Sequence, residues 1–343
     1  MLLLCIETSC DETAAAVVRD GRTVLASIVA SQIDIHAAYG GVVPEIASRH
    51  HLESVLPVID QALVAAGVGI DAIEGVVATR GPGLVGALLV GVGAAKGIAV
   101  GRGLPLAMVN HIEAHLLAIL LEEEVAFPFV ALAVSGGHTH LYEVQGVGRY
   151  RTLGQTIDDA AGEAFDKVGK LVGIPYPGGA VIDRLAQAGN PVAISFPRPL
   201  LHDGSLNFSF SGLKTSVLNH LRRHPGAADE AHLADLCASF QAAVCQILVE
   251  KSAAALKRTG CNRLVVAGGV ACNSGLRGAM EKFAAASGCS VFFPSPALCA
   301  DNAAMLGVPG DFYLSRGLGA FDTDALPNWP LDQITAAYAG SLS

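Results

Sequence analysis

The residues best suited to chemistry lie in His111-Ile112-Glu113-Ala114-His115. On a helix, side chains four apart share a face, so both imidazoles can ligate one metal ion. An isolated pair with this spacing is more often half-exposed helix surface. Its setting adds weight, because the apolar run Leu104–Asn110 reads as a strand that ends where this helix begins. The spacing also disfavours one chemistry. Zinc peptidases of the HExxH kind place the glutamate one residue after the first histidine, whereas Glu113 comes two after it. At 3.6 residues per turn it lies roughly 200° round the helix, nearly opposite the ligands. A third ligand must come from elsewhere. Asp301, in Leu298-Cys299-Ala300-Asp301-Asn302, is nominated by an internal duplication and is expected to open the equivalent helix. An N-cap or first-turn acid is the alternative for it. Two histidines and an aspartate with open coordination positions suit Fe(II) or Zn(II), and leave room for an oxygen ligand such as phosphate.

Glycine turns supply the second group of candidates. Val134-Ser135-Gly136-Gly137-His138-Thr139 lies between two strand-like runs, at the position that Thr8-Ser9-Cys10-Asp11 holds in the first half. A lone Gly-Gly turn is usually only a hairpin. Two small-residue turns at equivalent places can each present backbone N–H groups to a phosphate. Ser9 is the phosphate-turn candidate in the first half. His138, at its turn, is a ligand candidate, and His140 reads as structural. Val266–Asn273 reads as strand, Gly268-Gly269 turn and helix, where a ring or ribose can lie on the backbone and Asn273 can hydrogen-bond it. A tight strand–helix turn explains that segment equally well. Asp166, and Asp183 one helical turn after Gly179, are candidates for ribose hydroxyls, although a solvated helical aspartate is the commoner case.

These segments need elements to hold them. Three closely spaced strand-like runs open the chain (2–6, 14–19, 23–29), and a second trio follows at 129–135, 139–144 and 149–154. Each trio is followed by helices and two strand–helix units, which predicts an α/β fold of two duplicated lobes with mixed sheets around an inter-lobe cleft. Leu52, Val55, Leu56, Ile59 and Leu63 are expected to form one buried stripe of a helix over 51–66. The expected division is an N-terminal lobe at 1–118, completed by a helix at about 300–317, a C-terminal lobe at 119–299 and an extension at 318–343. This layout resembles the actin-like, Hsp70-like superfold, which typically holds a nucleotide between its lobes.

Composition narrows the function classes. With 22 Lys+Arg against 31 Asp+Glu, the net charge of −9 argues against a strongly basic nucleic-acid coat. A local basic patch remains compatible, with Arg222, Arg223, Lys214, Lys257 and Arg258 as candidates. Glycine, at 39 of 343 residues, exceeds its usual ~7% share and follows no collagen period. Eight cysteines without a CxxC pair fit neither a disulfide framework nor a zinc ribbon, but a reducing cytoplasm. The start, with Glu7 after a short apolar run, reads as a strand rather than a signal peptide. The apolar, uncharged stretch 81–95 is below the ~18 residues of a membrane span and is broken by glycines, so no membrane association is expected.

Ten segments in order make the chain resemble the TsaD family of bacterial tRNA N6-adenosine threonylcarbamoyltransferases, formerly described as glycoprotein endopeptidases: IETSCDET, YGGVVPEIASRHH, GPGLVGALLVG, NHIEAHL, VSGGHT, IDDAAGEAFDKVGKLVG, YPGG, FSFSGLKT, AGGVACN and CADNAAM. Departures are local: Cys272, Asn328 before Trp329-Pro330-Leu331, and Gly307-Val308-Pro309-Gly310, which is expected to interrupt the last helix. The resemblance implies one divalent metal ion, Fe(II) ahead of Zn(II), held by His111, His115 and Asp301. It implies threonylcarbamoyl-adenylate bound by Val134, Ser135, Gly136, Gly137, His138, Asp166, Gly179, Asp183 and Asn273. The acyl group then passes to N6 of the tRNA adenosine 3′ of the anticodon, with release of AMP. Asp11 is the candidate base or positioning acid. A TsaB-like paralogue and a TsaE-like P-loop ATPase are the implied partners. The competing readings are a kinase or ATPase of the same fold and a regulatory nucleotide-binding module.

Overall fold

The two strand trios pair as their short turns demand. In the computed structural model, which describes residues 1–319 and 323–338, β1 (Leu2–Glu7), β2 (Glu12–Arg19) and β3 (Thr23–Ser31) form an antiparallel meander. The short α1 (Ile33–Ala37) and the long α2 (Pro44–Ala66) follow. β4 (Gly75–Gly81), α3 (Val85–Arg102) and β5 (Leu106–Asn110) then add two strands parallel to β1, and α4 (His111–Leu117) starts directly from β5. The first sheet runs β3-β2-β1-β4-β5. Its central strands are buried along nearly their whole length, as continuous apolar runs covered on both faces should be.

The second half repeats the plan. β6 (Phe129–Val134), β7 (Thr139–Gly146) and β8 (Arg149–Gln155) are followed by α5 (Ala161–Leu171), α6 (Gly178–Ala186), α7 (Ser211–Arg223) and α8 (Glu230–Thr259). β9 (Arg263–Ala267), α9 (Ser274–Ser287) and β10 (Ser290–Phe292) complete it. Read from one edge, the sheet is β8-β7-β6-β9-β10, the same order as the first sheet with each strand number raised by five. α10 (Pro296–Cys299), α11 (Gly307–Leu314) and α12 (Leu331–Tyr338) close the described chain. Of the expected 318–343 extension, residues 320–322 and 339–343 lie outside the described residues.

Two compact units result. One comprises Met1–Ala126, Gly146–Tyr150 and the chain from Pro294 onward; the other comprises Phe127–Gln145 and Arg151–Phe293. The divisions fall at 126/127 and 293/294, where 118/119 and 299/300 were expected. Residues 118–121 extend α4 as a buried 3-10 turn, which keeps this stretch with the first unit.

Three local expectations are corrected, the first of them in part. The buried stripe of α2 runs Ala47-His51-Val55-Val58-Ala62, with Ile59 and Leu63 alongside, whereas Leu52 and Leu56 are 67% and 63% exposed. Val55, Ile59 and Leu63 of the expected stripe are buried, and packing against β2, β3 and α3 shifts the buried face off Leu52 and Leu56 toward Ala47, His51, Val58 and Ala62. At the other end of the chain, α10 stops at Cys299 and Asp301 sits in the loop before a 3-10 turn at Ala304–Leu306, so it does not open a helix. The Gly307-Val308-Pro309-Gly310 segment begins α11 instead of interrupting it. Pro309 falls in the first turn, where no intrahelical N–H bond is required. The two glycines let α11 approach the first sheet: a Cβ on Gly307 would stand 2.6 Å from Val18 Cγ1, and one on Gly310 2.5 Å from Val77 Cγ2.

α3 and α8 are each long and apolar enough to cross a membrane by length and composition. Here α3 packs on α2 and β4, and α8 packs on α6 and α9.

Gly310→Ala is expected to destabilise the chain by about 1–3 kcal/mol through overpacking. Gly93→Ala, on α3 with nothing within 4 Å of the added Cβ, should stabilise it by about 0.5–1 kcal/mol. Urea unfolding of both variants checks the opposed signs.

Candidate functional site

In the first unit the site begins at Asn110. Its side-chain oxygen accepts from Ile112 N at 2.8 Å and Glu113 N at 3.2 Å, capping α4, and its amide donates to Trp329 O at 2.7 Å. The start of α4 is therefore held from both sides. His111, His115 and Asp301 bring one ligand atom each to within 4.8 Å of one another. Asp301 Oδ1 lies 3.0 Å from His115 Nε2 and 3.7 Å from His111 Nε2.

A second layer aims the first histidine. His111 Nδ1 is 3.2 Å from Glu7 Oε2 and 3.1 Å from Ser9 Oγ, which turns Nε2 toward Asp301. Glu7, itself buried, also accepts from Ser9 N at 2.5 Å and from the Thr79 hydroxyl. Burial opposes charge on both partners. For His111, the Asp301 and then the Glu7 carboxylates outweigh that burial and raise its pKa to about 9. For Glu7, the His111 ring outweighs it and holds the carboxyl below its ordinary value. Two imidazole nitrogens and a carboxylate oxygen converging in a carboxylate-rich, largely buried setting form a donor set that fits a divalent cation.

Glu113 faces elsewhere. Its Oε1 accepts from the Tyr150 and Tyr313 hydroxyls at 2.6 Å each and from Gly148 N at 3.2 Å. It anchors the far side of α4, and the peptidase arrangement is absent.

Ser9 is buried with its hydroxyl on His111, so its contact is to one of the two converging histidines. Asp11 is also buried, in the turn between β1 and β2. That turn is braced by His51, whose Nε2 donates to Cys10 O at 2.9 Å and whose Nδ1 accepts from Thr13 Oγ1 at 2.8 Å. Burial lowers the His51 pKa, and the neutral ring matches these two roles. Next in the chain, Glu12 is pushed well above the usual carboxyl range by burial and by the Asp11 and Asp301 charges.

The second unit holds a cavity of about 360 Å³ with Gly136, Asp166, Gly179, Asp183 and Asn273 on its wall, beside Phe165, Tyr176 and Cys272. Val134, Ser135, Gly137 and His138 lie off that wall and shape the turn behind it. Ser135 N donates to His138 O at 2.8 Å, and His138 N to Ser135 Oγ at 3.2 Å. Gly162 lets α5 start against this turn, since a Cβ there would stand 2.7 Å from Ser135 O. Asp166 accepts from Gly178 N at 2.8 Å and so fastens α5 to the start of α6; burial raises its pKa despite the backbone donors. Asp183 accepts from Ser274 N at 2.9 Å and Ser274 Oγ at 2.8 Å. Asn273 caps α9 through Leu276 N at 2.9 Å.

A sequence model of the tRNA N6-adenosine threonylcarbamoyltransferase family, TsaD, matches residues 23–308. A relative of that name from Geobacter sp. (strain M21) is 69% identical over 97% of this chain and 98% of its own. The chain belongs to the TsaD family. TsaD proteins are acyltransferases that modify tRNA, and the family is metal-dependent. Among solved structures, the activator of 2-hydroxyisocaproyl-CoA dehydratase from Clostridium difficile aligns with a TM-score of 0.55 and 14% identity over 92% of this chain and 97% of that one. HypF from T. kodakarensis aligns with a TM-score of 0.60 and 14% identity over 92% and 48%. At such identities these neighbours report the fold alone, and the fold of two actin-like lobes agrees with the duplicated sheets.

Several residues around the TsaD candidates escape a reading of the sequence. Glu7 and Thr79 lie on strands that read as core, and His51 lies on a helix that reads as packing. Gln241, buried on α8, donates to Asp183 and accepts from Asn273. Its one visible signal is an amide in the apolar run Ala238–Leu248.

His111→Ala is expected to abolish binding of a divalent metal. Ser9→Ala, which removes one partner of the His111 ring, should weaken it about 10–100-fold with little change in thermal stability. Metal titration of the apoprotein measures both, and unchanged affinity in Ser9→Ala would refute the second-layer role.

Proposed function

We propose that the chain transfers the threonylcarbamoyl group of threonylcarbamoyl-adenylate to N6 of the adenosine 3′ of the anticodon, in tRNAs that read codons beginning with A, and releases AMP. The observation that supports this reading best is the nucleoside-sized cavity of about 360 Å³ walled by Gly136, Asp166, Gly179, Asp183 and Asn273. We assign nucleoside contacts to these five residues. Val134, Ser135, Gly137 and His138 are assigned the shaping of the phosphate turn.

In the reaction the N6 lone pair attacks the carbamoyl carbonyl carbon. The bond from that carbon to the phosphate oxygen breaks, and AMP leaves with the electron pair. The N6 proton must be accepted, and Asp11 is the assigned base. The exocyclic amine is a weak nucleophile, so holding it in line with the carbonyl carries much of the rate. His111, His115 and Asp301 would hold the metal, for which Fe(II) is favoured over Zn(II); when bound, it supplies positive charge for the phosphate.

For tRNA, the assigned surface is α7, where Lys214, Arg222 and Arg223 make no ion pair among the described residues, with Lys257 and Arg258 as further contributors. A polar cavity of about 360 Å³ lined by Ser216, Asn219, His220 and Arg223 lies there. A basic patch in a chain of net charge −9 would confine nucleic acid to a local footprint. For the TsaB-like paralogue, the assigned surface is the apolar stripe Leu52, Leu56 and Val64 of α2, 67%, 63% and 77% exposed. A TsaE-like P-loop ATPase is the second assigned partner. A cytoplasmic location is supported by eight cysteines without a disulfide among them.

The test supplies purified chain with threonylcarbamoyl-adenylate and unmodified tRNA, with and without the two partners, and identifies nucleosides by mass. Modified adenosine is expected, and its absence under every condition defeats the reading. Asp11→Asn should cut transfer about 10²–10⁴-fold while adenylate binding persists. Leu56→Glu should break association with the paralogue in size-exclusion chromatography while leaving adenylate affinity intact.

A further inference from the structure

Gln241 sits on α8 outside the cavity wall, with 6% of its surface exposed, between Asp183 and Asn273, two of the three polar side chains that the adenylate reading places on the nucleoside. Its Nε2 donates to Asp183 Oδ1 at 3.0 Å, and its Oε1 accepts from Asn273 Nδ2 at 2.8 Å. Both ends of the amide are therefore used. Asn273 spends its oxygen on the cap of α9, so Gln241 sets which way its remaining N–H points. Asp183 takes Gln241 and Ser274 Oγ on Oδ1 and Ser274 N on Oδ2, which leaves lone-pair capacity on Oδ2.

Space enforces the same arrangement. Gly275 lies against the Gln241 side chain: a Cβ there would stand 2.4 Å from Nε2 and 3.0 Å from Cδ. Any larger residue would push the amide off Asp183. Gln241 is 6% exposed, so leaving either end of its amide without a partner is costly.

We infer that Gln241 is a positioning residue for adenylate recognition: from behind the pocket it holds Asp183 and Asn273 in the orientation that reads the ribose hydroxyls, and Gly275 keeps the space it needs. The inference rests on the adenylate reading of the pocket, and deepens it by naming what sets its specificity for a ribonucleotide.

The test measures calorimetric affinity for AMP and for 2′,3′-dideoxy-AMP. The wild-type chain should prefer AMP. Gln241→Met, which keeps the volume and removes both hydrogen bonds, should weaken AMP about tenfold and leave 2′,3′-dideoxy-AMP unchanged, so the preference collapses. In turnover, KM for the adenylate should rise more than kcat falls. Gly275→Ala should weaken AMP in the same direction, yet add nothing in a Gln241→Ala background, where the clash is gone. Metal affinity at His111 should not move in any of these variants. A retained preference for AMP in Gln241→Met, or equal weakening of both nucleotides as a merely structural role would cause, overturns the inference while the adenylate reading stands. A wild-type chain that binds no AMP overturns the adenylate reading, and this inference with it.

Discussion

The first unit is organised around one carboxylate taken out of water. Glu7 is 1% exposed, and an unpaired charge at such a site costs several kcal/mol. Its donors come from three segments: the Ser9 backbone in the turn after β1, the Thr79 hydroxyl on β4, and the ring of His111 on α4. Satisfying Glu7 therefore fixes the turn, the neighbouring strand and the first ligand histidine together. The orientation of His111 Nε2 toward Asp301 follows from that requirement. Asn110 completes the constraint by capping α4 and gripping Trp329, so the segment after α11 also serves the same helix start.

The second unit reaches its site by a different route on the same strand order. Where the first unit uses buried polar side chains after β1, the second uses glycine after β6. A Cβ on Gly268 would stand 2.5 Å from Val134 O, and one on Gly162 2.8 Å from Gly136 Cα. Close backbone approach leaves a cavity with a wall of main chain, aromatic rings and two aspartates. Part of the chain's glycine abundance goes to this close backbone approach, where a side chain would fill the cavity wall. One duplicated plan thus carries a His/Asp cluster that fits a divalent cation in one copy and a glycine-walled pocket in the other.

The surfaces divide in the same way. α2 buries one stripe and leaves Leu52, Leu56 and Val64 in solvent, an apolar surface that its own sheet does not use. α7 carries Lys214, Arg222 and Arg223, which make no ion pair among the described residues, on a chain of net charge −9. Neither surface is needed for the packing of its own unit.

What the sequence determined by itself was local. The strand trios were legible because short turns permit little except antiparallel pairing. The facing of His111 and His115, and the turning away of Glu113, followed from helical periodicity. Glycine-flanked strand ends marked Gly136 and Asn273, and the glycine pair at 178–179 marked Gly179 at a helix start. Tertiary structure decided the rest, because the deciding partners lie far away in the chain. Glu7 and His111 are 104 residues apart, His115 and Asp301 186, and Asp183 and Gln241 58. How far round α2 the buried face lies, taking Val55, Ile59 and Leu63 but not Leu52 and Leu56, depended on the sheet it met, and whether Gly307 and Gly310 break or begin a helix depended on Val18 and Val77 standing opposite. Spacing along the chain reports which side chains share a face. Only the fold decides which buried charge that face has to satisfy.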